Sequence, residues 1–184
     1  GAAGLRALDA APRRPRHRDT HLPDAGVAIL RSERLSCAIA CGPNGTGGTG
    51  THGHNDKLSV EVCLDGRILL GDPGSGSYTG DPLLRDRLRG TAAHNTVVVE
   101  GQEQQPIPAG RLFALPEIAR ARCLELRSDE LAACFVGEHR GYARLPQQVT
   151  HRRRVRLDRL RELLLIEDDL QGRGMATAEA RFLV

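Results

Sequence analysis

Residues 51–58 read THGHNDKL, which sets His52 and His54 one residue apart directly after the loop GPNGTGGTG, five of whose nine residues are glycine. Glycine-rich backbone has much conformational entropy to lose on folding, so such a loop marks a place where the chain turns sharply or comes close to something. On an extended chain side chains two apart share a face, with Cα atoms roughly 6–7 Å apart, so the two imidazoles are expected to face one site. Asp72 follows eighteen residues after His54, in GDPG, and His94 opens AHNTVVVE. Two imidazoles and a carboxylate brought from separate strand ends have the ligand chemistry of a borderline divalent ion, zinc foremost. The same residues also read as ordinary structure. A strand-end histidine is a common hydrogen-bonding group, and Asp before Pro-Gly is a turn former. Spacing alone leaves both readings open.

The elements that must position these residues are short runs of strand character: GVAIL, LSCAIAC, LSVEVCL, RILLGD, NTVVVE, IARARCLEL, LAACFVGE, VTHRRRVRL and ELLLIEDDL. Several alternate apolar with polar residues, and Asp65-Gly66, Glu100-Gly101 and Ser128-Asp129 separate them as turns. The two-residue Asp65-Gly66 connection predicts a type I′ hairpin between LSVEVCL and RILLGD. One short helix is expected in DPLLRDRLRG, capped by Asp81, with Pro82 in its first turn and Leu83, Leu84 and Leu88 as its apolar stripe. In HRRRVR, residues 151–156, alternation divides the arginines between two faces. The pattern is all-β, an antiparallel two-sheet β-sandwich, in preference to a barrel.

At 184 residues the chain is long enough for one domain with a real core. Residues 1–24, with the basic run RRPRHR, read as a linker or the end of a preceding domain, and 25–184 as the sandwich. The chain opens GAAGLRAL, without an initiator methionine or a leader's apolar run, and ends RFLV in apparent mid-strand, so it is expected to be an excerpt of a longer protein truncated in its last strand. No stretch is apolar for long enough to span a membrane. A net charge of +3 and only five aromatic residues, two Tyr and three Phe, argue against a nucleic-acid partner. The five cysteines lie within apolar runs and read as buried free thiols.

HGHNDKLSVEVCLDGRILLGDPGSGSYTGDP, then the short helix and TAAHNTVVVEGQEQ, resemble the core of the heparinase II/III-like polysaccharide lyases from about Asp24 to Asp169. The resemblance implies an N-terminal α/α toroid, absent from this chain, packed on the sandwich with the polysaccharide cleft between them. It implies that His52 is catalytic and that His54, Asp72 and His94 hold zinc in a mainly structural role. It also implies a bacterial, periplasmic or secreted enzyme acting on an acidic polysaccharide such as heparan sulfate or alginate, and inactive as this fragment alone.

Eliminative cleavage removes the proton beside a uronate carboxylate and expels the glycosidic oxygen from the neighbouring carbon, so a base must be accompanied by a group that neutralises the carboxylate. An imidazole can take or return that proton near neutral pH. Tyr78 in SGSYTG and His139 in the expected loop GEHRGYARL are weaker candidates for substrate binding. Each also reads as structural, Tyr78 packing over a turn and His139, near Tyr142, in a hydrogen bond. Two rivals remain. A non-catalytic carbohydrate-binding or exopolysaccharide-associated sandwich would keep the metal without cleavage. A cupin-like metal enzyme also uses His-x-His, but there a glutamate ligand follows within about three or four residues, whereas Glu61 follows His54 after six intervening residues and would face away on a regular strand.

Overall fold

The computed structural model describes residues 19–45 and 47–184. Alternation generates the first sheet. β2 (Val27–Arg31) buries Ala28 and Leu30, and β3 (Leu35–Ala40) buries Leu35, Cys37 and Ile39, because successive side chains leave a pleated strand by opposite faces. With β1 (Thr20–Leu22), β4 (Val60–Leu64) and β5 (Arg67–Leu70) they form an antiparallel five-stranded sheet in chain order. The β4–β5 connection has φ of 51° at Asp65 and 77° at Gly66, as the expected hairpin turn requires.

The linker expected over residues 1–24 is corrected at its end. β1 pairs with β2, and Asp19 accepts the Arg31 N–H at 2.7 Å and pairs with the buried Arg159. The sandwich therefore starts before residue 25, and the RRPRHR run lies outside the described residues.

The second sheet has the order β10-β9-β8-β7, built from β7 (Arg122–Ser128), β8 (Ala132–His139), β9 (Thr150–Asp158) and β10 (Leu163–Gln171). β9 divides its residues as alternation predicts. His151, Arg153, Val155 and Leu157 are buried, while Arg152, Arg154 and Arg156 lie on the other face, where Arg152 meets Glu138 at 3.0 Å. Phe135, Val155 and Leu157 pack against Leu30, Ile39, Leu58 and Val60 of the first layer to make the main core. All five cysteines are free, and burial pushes the Cys37 and Cys41 thiols up to about 12.

Three expectations need adjustment. NTVVVE supplies β6 (Val97–Val99), which pairs with β11 (Ala178–Ala180) in a separate ribbon rather than joining either main sheet. RFLV is not a strand; the Leu183 N–H donates to Asn95 Oδ1 at 2.6 Å. Helix α1 (Pro82–Leu88) is capped by Asp81, whose carboxylate accepts the Leu84 N–H at 2.9 Å, but Leu83 faces solvent and the buried residues of that face are Arg85 and Arg89. Among the described residues no helix is long and apolar enough to cross a membrane.

His139 is the last residue of β8 and not in a loop, and it is fully buried. The Gly141 N–H donates to its Nδ1 at 3.2 Å, which leaves the proton on Nε2 to face His151 Nδ1 at 3.1 Å. His151 Nε2 in turn faces Asp168 Oδ1 at 2.7 Å. The chain of bonds is complete with both rings neutral. Burial, then the charges of His151, Lys57 and Arg153, hold the His139 pKa well below its ordinary value, and burial outweighs Asp168 to lower that of His151. The unfolded chain therefore takes up protons that the folded one refuses, and stability falls as pH drops below about 6.5, the ordinary histidine value. The melting temperature is expected to decline between about pH 7 and pH 5, and His139→Gln should flatten that slope; an identical slope in the variant would contradict the linkage.

Candidate functional site

The glycine loop earns its composition at Gly50. Its φ is +64°, and a Cβ there would lie 2.2 Å from the Leu115 carbonyl oxygen. The loop is held against that neighbouring segment: Asn44 Nδ2 donates to Leu115 O at 2.6 Å and the Leu115 N–H donates to Thr49 O at 3.0 Å. Residues 51–56 then run through turns rather than strand, so the period-two argument for His52 and His54 does not apply to them. The two rings take different neighbours.

His54 lies with its ring centroid 5.3 Å from that of His94, and one donor atom from each of His54, Asp72 and His94 falls within 4.8 Å of the other two. Asp72 divides its oxygens. Oδ1 accepts the Gly74 N–H at 2.8 Å, forming the expected turn, and Oδ2 lies 2.7 Å from His94 Nδ1. Burial pushes the Asp72 carboxyl up, but the His94 contact and the Gly74 bond outweigh it and hold the pKa below the ordinary value. Burial, then the charges of His94 and Arg85, lower that of His54 despite Asp56 and Asp72.

This cluster fits a metal on its own chemistry. His94 is fully buried, and with Nδ1 turned to a carboxylate its Nε2 has no hydrogen-bond partner among the described residues. Two imidazoles and a carboxylate, each with a donor atom within 4.8 Å of the others, are a zinc donor set. Glu61 is exposed on β4 and outside the cluster.

His52 is exposed and belongs to an aromatic group instead. Its ring lies 6.0 Å from Tyr78, nearly parallel at 22°, and 6.3 Å from Phe113, edge-on at 71°. Tyr78 therefore sits beside the expected catalytic residue. His139 does not: it is fully buried between Gln104, Gly141 and His151.

Residues that the sequence did not single out hold these segments in place. Glu103 Oε2 accepts from Asn55 Nδ2 at 2.7 Å, the Thr91 N–H at 2.7 Å and Thr91 Oγ1 at 2.8 Å, joining the His52–His54 turn to the approach of His94. Asn95 Nδ2 donates to Val60 O at 2.8 Å and Gly71 O at 2.9 Å, setting His94 beside the end of the β4–β5 hairpin. The only prior hint was composition: amides and an acid crowded into AHNT and GQEQ.

The description "Heparinase II/III-like, C-terminal" matches residues 14–184, nearly the whole chain. The chain belongs to that heparinase II/III-like family. Among solved structures, this heparinase-like domain is similar to heparan sulfate lyase HepC from Pedobacter heparinus, with a TM-score of 0.70 and 22% identity over 93% of this chain and 25% of that one. It is also similar to a heparinase III, with a TM-score of 0.66 and 19% identity over 87% of this chain and 23% of that one. At these identities the likeness shows the shared fold, and the chain spans about a quarter of the length of these solved relatives. No curated protein matches it significantly.

Removing the Glu103 carboxylate strands the buried Thr91 N–H. Glu103→Ala in the heparinase-like domain is expected to cost about 1–3 kcal/mol, against less than about 0.5 kcal/mol for Glu125→Ala on the outer sheet face. Chemical denaturation of the two variants measures the difference, and equal losses would contradict the role given to Glu103.

Proposed function

We propose that this chain is the sandwich half of a polysaccharide lyase that cleaves a uronate-containing acidic polysaccharide by β-elimination, with His52 as the proton-transfer group. The observation that carries this reading is the separation of roles along HGH: an exposed imidazole stacked on Tyr78, and two residues later an imidazole gathered with Asp72 and His94. Family membership supports the reaction class, and the exposed imidazole on its turn supports His52 as the residue.

In β-elimination the proton leaves the carbon next to the carboxylate and the glycosidic C–O bond on the neighbouring carbon breaks. The electron pair becomes the double bond of an unsaturated uronate, and the departing oxygen takes up a proton. His52 stands on an open turn where a sugar can reach it, and a neutral imidazole is suited to that transfer near neutral pH. Tyr78, 57% exposed, offers its ring and phenol to the same sugar. The carboxylate-neutralising groups come from an N-terminal α/α toroid, so this chain alone is inactive.

His54, Asp72 and His94 hold zinc, which supplies a fixed cation joining three separate segments and has a structural role. His54 and the Asp56–Lys57 segment anchor the turn, and His52 projects from it. By analogy with the family, the enzyme acts in the periplasm or outside the cell.

In the full-length protein, His52→Ala is expected to lower turnover by roughly 10²–10⁴ without shifting the melting temperature. The ultraviolet absorbance of the unsaturated uronate, followed on a panel of acidic polysaccharides, measures it. Full activity in His52→Ala would remove His52 from the reaction, and a full-length protein without activity on any of them would favour a carbohydrate-binding sandwich.

A further inference from the structure

Helix α1 buries the residues that an amphipathic pattern would expose. Arg85 and Arg89, four apart, are 2% and 1% exposed, while Leu83 is 83% exposed. A buried guanidinium needs partners for its donors. Arg89 has them: Nη1 donates to Leu112 O at 3.0 Å and Ala114 O at 3.1 Å, Nη2 to Arg111 O at 3.1 Å, and Nε to Asp86 Oδ1 at 2.9 Å. Those bonds fix the loop on both sides of Phe113.

Arg85 is different. Its Nε donates to Leu112 O at 3.1 Å, but its enclosed Nη1 has no hydrogen-bond partner among the described residues. The guanidinium meets aromatic rings instead, with Cζ 4.6 Å from the Phe113 centroid and 5.1 Å from that of Tyr78. The two rings lie 5.0 Å apart, and His52 rests against both. Among the described residues, ring contacts are the directed interactions that hold His52.

We propose that Arg85 is a positioning residue: its buried guanidinium fixes the Tyr78–Phe113 pair on which the His52 imidazole stacks, and so sets where that imidazole points. The planar cation is matched to this task, because one flat group can face two rings while its edge bonds to Leu112. A lysine would bring a point charge without the plane. Tyr78 stands on an exposed turn, and Arg85 closes the buried side of that turn's aromatic group. This assignment rests on His52 being the proton-transfer group, since a small displacement of a reacting group has a large effect on turnover.

Two readouts test it separately. In this chain, the nuclear magnetic resonance signals of the His52 ring protons report the stacking. Arg85→Met is expected to move them toward free-imidazole positions while leaving those of the buried His139 and His151, which Arg85 does not influence, in place. In the full-length protein the same variant is expected to lower kcat by about 10- to 100-fold with KM within about twofold, and Arg85→Lys to fall between it and the unmodified enzyme. In a Tyr78→Leu background Arg85→Met should have little further effect on kcat. Arg85→Lys carries both readouts should Arg85→Met not fold. Unmoved His52 signals, unchanged kcat, or fully additive losses would overturn the proposal. A full-length enzyme in which His52→Ala is active but the Arg85 variants still displace the ring would refute the proton-transfer reading and not the contact.

Discussion

The buried guanidinium of Arg153 joins the second sheet to both histidine-bearing segments. It meets Asp168 through Nε at 2.7 Å and Nη2 at 2.9 Å, and its Nη1 donates to Leu58 O at 2.8 Å and Asn95 O at 2.6 Å. Leu58 closes the segment that begins at His52, and Asn95 follows His94. Burial pushes the Asp168 carboxyl up, but His151 and Arg153 outweigh it and hold the pKa far below the ordinary carboxylate range. A buried pair of this kind contributes little net stability compared with an apolar substitute, yet removing one partner strands a charge at about 3–5 kcal/mol. Its consequence here is geometric, because two carbonyls from distant parts of the chain are tied to one rigid fork.

Around that fork the polar groups repeat one device. Glu103 joins Asn55 to Thr91, Asn95 joins the end of the β4–β5 hairpin to the segment after His94, and Gln104 Oε1 accepts the Lys57 N–H at 2.9 Å. Each satisfies buried backbone groups at strand ends or in the segments between strands. The β-sandwich is the frame, and its irregular connections are made rigid by side chains. A cluster such as His54, Asp72 and His94 needs that rigidity, since its members come from three connections.

The strands were legible because alternation is a direct image of a pleated sheet with one buried face, and VAILR, LSCAIA and THRRRVRLD show it plainly. The gathering of His54, Asp72 and His94 was legible as well, through the order of three short motifs and their resemblance to a family. The division between His52 and His54 was expected from that resemblance but not from geometry, because the pair lies on turns where periodicity carries no information. Phe113 sits between strands in a stretch without a period, and nothing in the sequence placed it beside His52. Arg85 was hidden for a different reason: apolar patterning assigns the buried face to leucines and has no term for carbonyl oxygens or aromatic rings waiting inside. His139 shows the converse: it was named as a weak substrate-binding candidate beside a structural reading, and it proves to be wholly internal and hydrogen-bonded.

The proposed division of labour stands on the metal. Elemental analysis of this chain, purified without added metal, is the direct measurement, made beside a His54→Ala, Asp72→Ala double variant. About one zinc per chain is expected, falling to a trace in the double variant, because a ligand set assembled only by folding binds as a unit. Zinc content unchanged by the double substitution, or absent from the unmodified chain after incubation with zinc and removal of excess, would contradict it.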